Sequence, residues 1–162
     1  MSAQLNAMVY QARAITSSDA SVAQVLDGAI AEALKAQSLN EKAAALQAVG
    51  DIVGVSATPK LLVTLQSLEP ALASTAGVAR IQALGAMSAA YASFGDEARA
   101  EAMRTQIATA TGVQPAEQQM EMGRALMRAD LSLARYQQRV GAYAQSENTV
   151  MRAASYIYAK SK

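Results

Sequence analysis

Alanine accounts for 38 of the 162 residues, and this abundance constrains the fold more than any other feature of the chain. Alanine is the strongest helix former, and the chain contains only three Pro. Strand signals are weak, because there is one Phe, no Trp and little alternation of β-branched with polar residues. The composition predicts an all-α protein, and the length predicts a single domain over residues 1–162.

Short segments rich in Ser, Gly, Asn or Pro divide the chain into helix-length pieces. Ser38 and Glu41 have the spacing of a capping box, and Pro70 is expected to kink or end the helix that contains it. Because the loops are short, neighbouring helices should be antiparallel, so we expect stacked helical hairpins, with a helical bundle as the alternative. The eight predicted helices lie near residues 3–16, 20–36, 40–55, 59–73, 77–93, 96–110, 115–144 and 147–160.

One internal match suggests a repeat. The seven residues from Leu46, LQAVGDI, return 35 residues later as IQALGAM from Ile81. The match aligns Gly50 with Gly85, and a glycine at either position would let a partner helix approach closely. The spacing therefore supports hairpins that stack on one another.

The segment from Ala83 to Met103 has a second pattern. Leu84 and Tyr91 stand on one predicted helix, Gly95 stands at the turn, and Ala100 stands on the next helix. This order resembles a tetratricopeptide repeat, with a degenerate copy over residues 46–73; the flanking copies lack the Tyr and the turn Gly. The resemblance implies a non-enzymatic module that binds a peptide or partner protein in the groove of its stacked hairpins.

Four basic residues form a stripe within about 60° of arc on the predicted seventh helix. From residue 124 onward the chain has seven basic and two acidic residues, against seven and eleven before it. The stripe could bind an anion or an acidic partner, or join the basic end of one copy to the acidic front of another. The alternative is a solvated helix face, which Glu117 and Glu121 on the same stripe support. The four residues are Arg124, Arg128, Arg135 and Arg139.

The tyrosines and methionines give further candidates. Tyr156 and Tyr158 point to different faces of the last helix, so one should be packed and the other free to contact a partner. Tyr136 and Tyr143 should project away from the arginine stripe, which, with a net charge of +1, argues against nucleic-acid binding. The helical spacing of the methionines, including Met120 and Met151, favours the core.

Several function classes are excluded by composition. The chain has no Cys and no His, so zinc sites of the usual kind, haem, iron–sulfur clusters and catalysis by these residues are excluded. Asp96, Glu97 and Glu101 are better explained by the favourable field at a helix N-terminus than by a metal. We expect no cofactor and no enzymatic activity.

The uncharged stretch Ile81 to Phe94 is too short to cross a bilayer, so no membrane span is expected. The first 16 residues show no signal peptide, which favours the cytoplasm, although removal of a leader would leave periplasmic or secreted locations open.

Two functions fit these patterns. The first is a protein-interaction module that binds a peptide or protein in a helical-repeat groove. The alternative is a structural subunit that assembles with copies of itself into a filament, ring or shell, using the opposite charges of its two halves.

Overall fold

The computed structural model describes residues 19–54, 58–109 and 115–158, and every regular element in these ranges is helical. The all-α prediction is confirmed there, while the helix predicted near residues 3–16 lies outside the described residues. A 3₁₀ helix, Glu69–Ser74, directly follows the third α-helix. The α-helices are α1 (Asp19–Leu34), α2 (Leu39–Val53), α3 (Thr58–Leu68), α4 (Gly77–Ser93), α5 (Glu97–Thr109), α6 (Ala116–Arg139) and α7 (Tyr143–Tyr158).

Two boundaries follow the local chemistry that the sequence showed. Ser38 Oγ accepts a hydrogen bond from the Glu41 amide at 3.2 Å, and Glu41 Oε2 accepts one from the Ser38 amide at 3.1 Å. The capping box at the start of α2 is thus confirmed. Pro70 lies in the 3₁₀ segment just after α3, as expected from a residue that lacks an amide donor.

The predicted boundary between the last two helices was wrong. α6 ends at Arg139 and α7 begins at Tyr143, where the sequence had predicted one helix to residue 144 and another from residue 147. The reason is Gly141, whose φ of +80° suits a residue without Cβ. Ala142 N donates to Gln137 O at 2.8 Å and Gly141 N donates to Gln138 O at 3.2 Å, which closes the helix with a Schellman turn.

The helices pack as successive hairpins around a central helix. α4 contacts α2 on one side and α6 on another, and these three helices form what we call the inner row. α3, α5 and α7 each pack against the inner-row helix that precedes them. α4 is consequently covered beyond its first turn, with every residue from Ala83 to Ala92 buried and Gly77 and Ala79 exposed.

Not every methionine lies in this core. Met120 on α6 and Met151 on α7 are exposed, so the expectation that these two lie in the core was wrong.

Gly85 lies where α4 and α6 cross. A Cβ at this position would lie 2.7 Å from Ala125 Cβ and 2.9 Å from Ala125 Cα, so only glycine permits this approach of the two backbones. The prediction of close packing at Gly85 is confirmed. A Cβ on Gly50 would instead collide with the ring of Phe94, so this glycine accommodates a side chain.

The residues that carry the repeat pattern belong to the interior. Leu46, Leu84, Tyr91 and Ala100 are buried, and Gly95 ends α4 with a φ of +86°. The inner-row helices begin at residues 39, 77 and 116, so their starts are 38 and 39 residues apart. A tetratricopeptide repeat has a period of about 34 residues, and the resemblance to that family stays a prediction.

Candidate functional site

The arginine stripe follows the edge of α6 that turns toward α2. Arg128 Nη1 donates to Asn40 Oδ1 at 3.2 Å, and burial lowers the pKa of this guanidinium. Seven residues further along α2, Gln47 Nε2 donates to Ser132 Oγ at 3.2 Å. These two bonds connect α2 directly to α6, the two helices that flank α4 in the inner row.

Beyond the bond between Gln47 and Ser132, α2 and α6 leave an open groove of about 340 Å³. Its floor is the C-terminal end of α4, and its walls come from α2 and α6. The lining is polar except for one aromatic ring. The lining residues are Gln47, Asp51, Ser93, Ser132, Arg135, Tyr136, Gln138 and Arg139.

Arg139 is held in place at this groove. Its Nη2 donates to Ser93 O at 2.7 Å, and its guanidinium lies 5.7 Å from the centroid of the Tyr136 ring. Ser93 Oγ in turn donates to Asp51 Oδ1 at 2.8 Å. The contact corrects the expectation that Tyr136 projects away from the arginines, and it fixes the orientation of one cation at the groove.

Arg135 differs from the other members of the stripe. It is exposed, and among the described residues its guanidinium has no hydrogen-bond or ion-pair partner. Arg124, outside the groove, forms a 2.7 Å ion pair with Glu121, as the solvated-face interpretation expected. The stripe therefore contains an ion-paired arginine and an arginine without a partner among the described residues. The arginines nearest the groove lie at the C-terminal end of the stripe.

A buried ionic network lies on the other side of α6, and sequence reasoning missed it. Asp130 is fully buried and accepts from Arg104 Nε at 2.7 Å and Nη2 at 3.3 Å. Arg152 Nη2 donates to the same carboxylate at 2.6 Å. Burial alone would lower the pKa of Arg104, but the bonds and charge of Asp130 outweigh it and raise the pKa. The network joins α5, α6 and α7.

Tyr156, a candidate for partner binding, belongs to this network. Its hydroxyl accepts a hydrogen bond from Arg104, and its ring packs against the core. Burial, together with the Asp130 carboxylate, raises its pKa. The observed role of Tyr156 is therefore internal. The side chain of Tyr158 lies outside the described part of the structure.

A second cavity, of about 470 Å³, separates α5 from α7. Several polar side chains along it bond to one another: Gln137 Nε2 donates to Glu97 Oε2 at 3.2 Å, and Thr149 Oγ1 donates to Gln137 Oε1 at 2.8 Å. Arg152 and Glu101, 3.4 Å apart, complete the set. Arg152 Nε is buried without a hydrogen-bond partner among the described residues. The other groups named here bond to one another, so this cavity is a weaker candidate than the groove.

The acidic cluster at the start of α5 is explained by the helix. Asp96 Oδ1 accepts from the Arg99 amide at 3.0 Å, and its other oxygen accepts from Arg99 Nη1 at 2.9 Å. Within the described ranges no three potential metal ligands converge. In the same ranges no helix is both long and apolar enough to cross a bilayer.

Comparisons with protein-family models, with curated protein sequences and with solved structures gave no match.

Proposed function

We propose that this protein is a non-enzymatic interaction module that binds an acidic segment of a partner protein in the groove between α2 and α6. The observation that carries the proposal is Arg135, a guanidinium at the groove without a partner among the described residues. Arg side chains recognise carboxylates through paired hydrogen bonds, so an Asp or Glu of a bound segment is the natural partner.

Arg139 supports this assignment because it is oriented before any ligand arrives. Its contacts with Ser93 O and the Tyr136 ring restrict its rotamers, so less side-chain entropy is lost on binding. Arg135 stands four residues earlier on the same helix, one turn away. Two cations one turn apart suit an extended segment with two carboxylates or with one carboxylate shared between them.

Other polar side chains of the groove are available to bind the main chain of the segment. Gln47 and Asp51 of α2 and Gln138 of α6 offer donors and acceptors for the main chain of a bound segment. Asp51 places a negative charge opposite the arginines, which would orient a segment so that its acidic side chains face α6. The groove thus favours one orientation of a bound segment, in which its acidic side chains face α6.

The proposal is tested by selecting peptides from a random displayed library and measuring their affinity by fluorescence anisotropy. We expect the selected peptides to be enriched in Asp and Glu and to bind more weakly as salt concentration rises. Replacing both groove cations, Arg135→Ala with Arg139→Ala, should weaken binding by about a hundredfold or more, since each charge-assisted bond contributes roughly 1.5–3 kcal/mol.

Arg124→Ala is the matched control, because it removes one cation from the same helix outside the groove. This variant should bind the selected peptides as the unmodified protein does. Circular dichroism of each variant checks that the fold is retained. Selection of neutral or basic peptides, or equal losses in the control and the groove variant, would contradict the proposal.

A further inference from the structure

Gly95, in the turn that ends α4, lies against the aromatic ring of the groove. A Cβ on this residue would lie 2.9 Å from the hydroxyl oxygen of Tyr136, 3.0 Å from its Cε2 and 3.1 Å from its Cζ. Carbon atoms in contact prefer a separation of about 3.5–4.0 Å, so any side chain at position 95 would collide with the ring. Gly95 therefore leaves the space that the Tyr136 ring occupies.

The turn itself requires a glycine, but it does not account for the contact with the ring. α6 ends in a turn of the same geometry, with a φ of +80° at Gly141 against +86° at Gly95. In both turns the glycine amide donates to the carbonyl three residues earlier, at 3.1 Å for Gly95 and 3.2 Å for Gly141. A Cβ on Gly141, however, would meet no other part of the described structure within 4 Å. The two turns thus differ in that Gly95 has a groove side chain against it.

The end of α4 holds Arg139 at two points. The first is direct, because Ser93 O, two residues before Gly95, accepts the 2.7 Å hydrogen bond from Arg139 Nη2. The second passes through the Tyr136 ring, which lies against Gly95 and stacks with the guanidinium at 5.7 Å. A carbonyl and a ring carry no net charge, so these contacts orient the guanidinium without neutralising it.

We propose that Gly95 is a positioning residue of the groove, and that the two groove arginines therefore recognise an acidic segment differently; this inference rests on the proposed function. Arg139, fixed through Gly95 and Tyr136, meets a carboxylate at one distance from the main chain of the segment. Asp and Glu differ in reach by one C–C bond, roughly 1.5 Å, so Arg139 distinguishes them. Arg135, which no described residue holds, adapts to either. The partner segment thus has one acidic position of fixed side-chain length and one that accepts both residues.

The first test measures the affinity of glycine variants for the acidic peptides selected on the groove. Gly95→Ala should weaken binding by roughly two- to tenfold, the cost of ordering one long side chain on binding. Gly141→Ala is the matched control, because it imposes the same backbone strain two positions from Arg139 without touching a groove side chain, and it should leave the affinity unchanged. Exchanging Asp and Glu in the peptide should weaken binding at one acidic position and not at the other, and Gly95→Ala should abolish this difference.

A double-mutant cycle shows whether Gly95 acts through the ring. Tyr136→Ala removes the ring and should weaken peptide binding at least as much as Gly95→Ala does. Adding Gly95→Ala to Tyr136→Ala should then weaken binding no further, because no ring is left to displace. Losses that add, or an equal loss in Gly141→Ala, would show that Gly95 affects binding through the turn and not through Tyr136, and would overturn the proposal.

Nuclear spin relaxation of the arginine Nε–H groups tests the positioning in the free protein, without any peptide. Arg139 should be more restricted than Arg135, and Gly95→Ala or Tyr136→Ala should bring it to the level of Arg135, while Gly141→Ala should not. Equal motion of the two arginines in the unmodified protein, or no change in these variants, would overturn the proposal. If Arg139 is restricted as expected but the groove selects no acidic peptide, the proposed function fails, and the distinction between Asp and Glu fails with it, while the positioning by Gly95 stands.

Discussion

Single residues in this chain show how the same side-chain type takes opposite roles. Arg104 and Arg152 neutralise one buried carboxylate, whereas Arg135 lies exposed at a groove with no partner among the described residues. A buried ion pair stabilises a fold little compared with apolar residues of the same shape, but losing one partner leaves an uncompensated charge. The Asp130 network is therefore a point of vulnerability that joins three helices.

Asp130→Asn should lower the free energy of unfolding by roughly 3–5 kcal/mol, because two guanidinium groups lose their shared counter-ion. The measurement is urea unfolding followed by circular dichroism. Arg124→Gln, which removes an exposed ion pair with Glu121, is the control and should cost about 1 kcal/mol or less. Similar losses in both variants would show that Asp130 contributes no more than a surface charge.

Tyr91 predicts a loss of stability in alkaline solution. Burial, strengthened by its hydrogen bond to Glu69, raises the pKa of the phenol above the ordinary 10.0. Above about pH 10 the unfolded chain releases this proton while the folded chain keeps it, so the free energy of unfolding falls as pH rises. Below that pH both states are protonated and the group adds no pH dependence.

Tyr91→Phe has no proton to release, so urea midpoints measured from about pH 8 to 11 should fall less steeply than those of the unmodified protein. Identical slopes for Tyr91→Phe and the unmodified protein would show that Tyr91 does not carry this dependence.

At the scale of helices, the boundaries that the sequence predicted well are those fixed by adjacent residues. The capping box of Ser38 and Glu41 and the missing amide of Pro70 act within one turn, so their effects can be read locally. The turn at Gly141 also has a local signature, but the polar residues 145–148 resembled a loop more strongly. These residues instead lie in the first two turns of α7. Their low helix propensity was overridden by the packing of that helix against α6.

The crossing of α4 and α6 gives a test of packing against helix propensity. Ala and Leu are better helix formers than Gly by about 0.8–1 kcal/mol, but any Cβ at Gly85 meets the backbone of Ala125. We therefore expect Gly85→Ala to destabilise and Gly85→Leu to destabilise further, by roughly 1–3 kcal/mol or more. Denaturant midpoints would give both values.

Gly123 on α6 is the matched control, because a Cβ there would meet no atom of another element within 4 Å. Gly123→Ala should stabilise the protein by up to about 1 kcal/mol through propensity alone. If Gly85→Ala also stabilises, the two backbones do not approach as closely as described.

At the scale of the whole molecule, the sequence predicted the arginine stripe but not the surfaces around it. The spacing of Arg135 and Arg139 placed them on one helix face, which the groove confirms. The other wall comes from Gln47 and Asp51, residues that lie more than 80 positions earlier, and a single sequence carries no signal that pairs them. Asp130 was overlooked for the same reason, since its partners Arg104 and Arg152 are on two other helices.

The burial of α4 on all sides from Ala83 to Ala92 has a consequence for how the molecule exchanges its amide protons. Amides that open only when the whole fold opens are the slowest to exchange, and those of Ala83 to Ala92 should belong to this class. α7 exposes one side and packs mainly on α6, so its amides should exchange through local opening. A segment bound in the groove stabilises the folded state in proportion to the logarithm of its concentration, and should slow exchange along α4, including residues that it never touches.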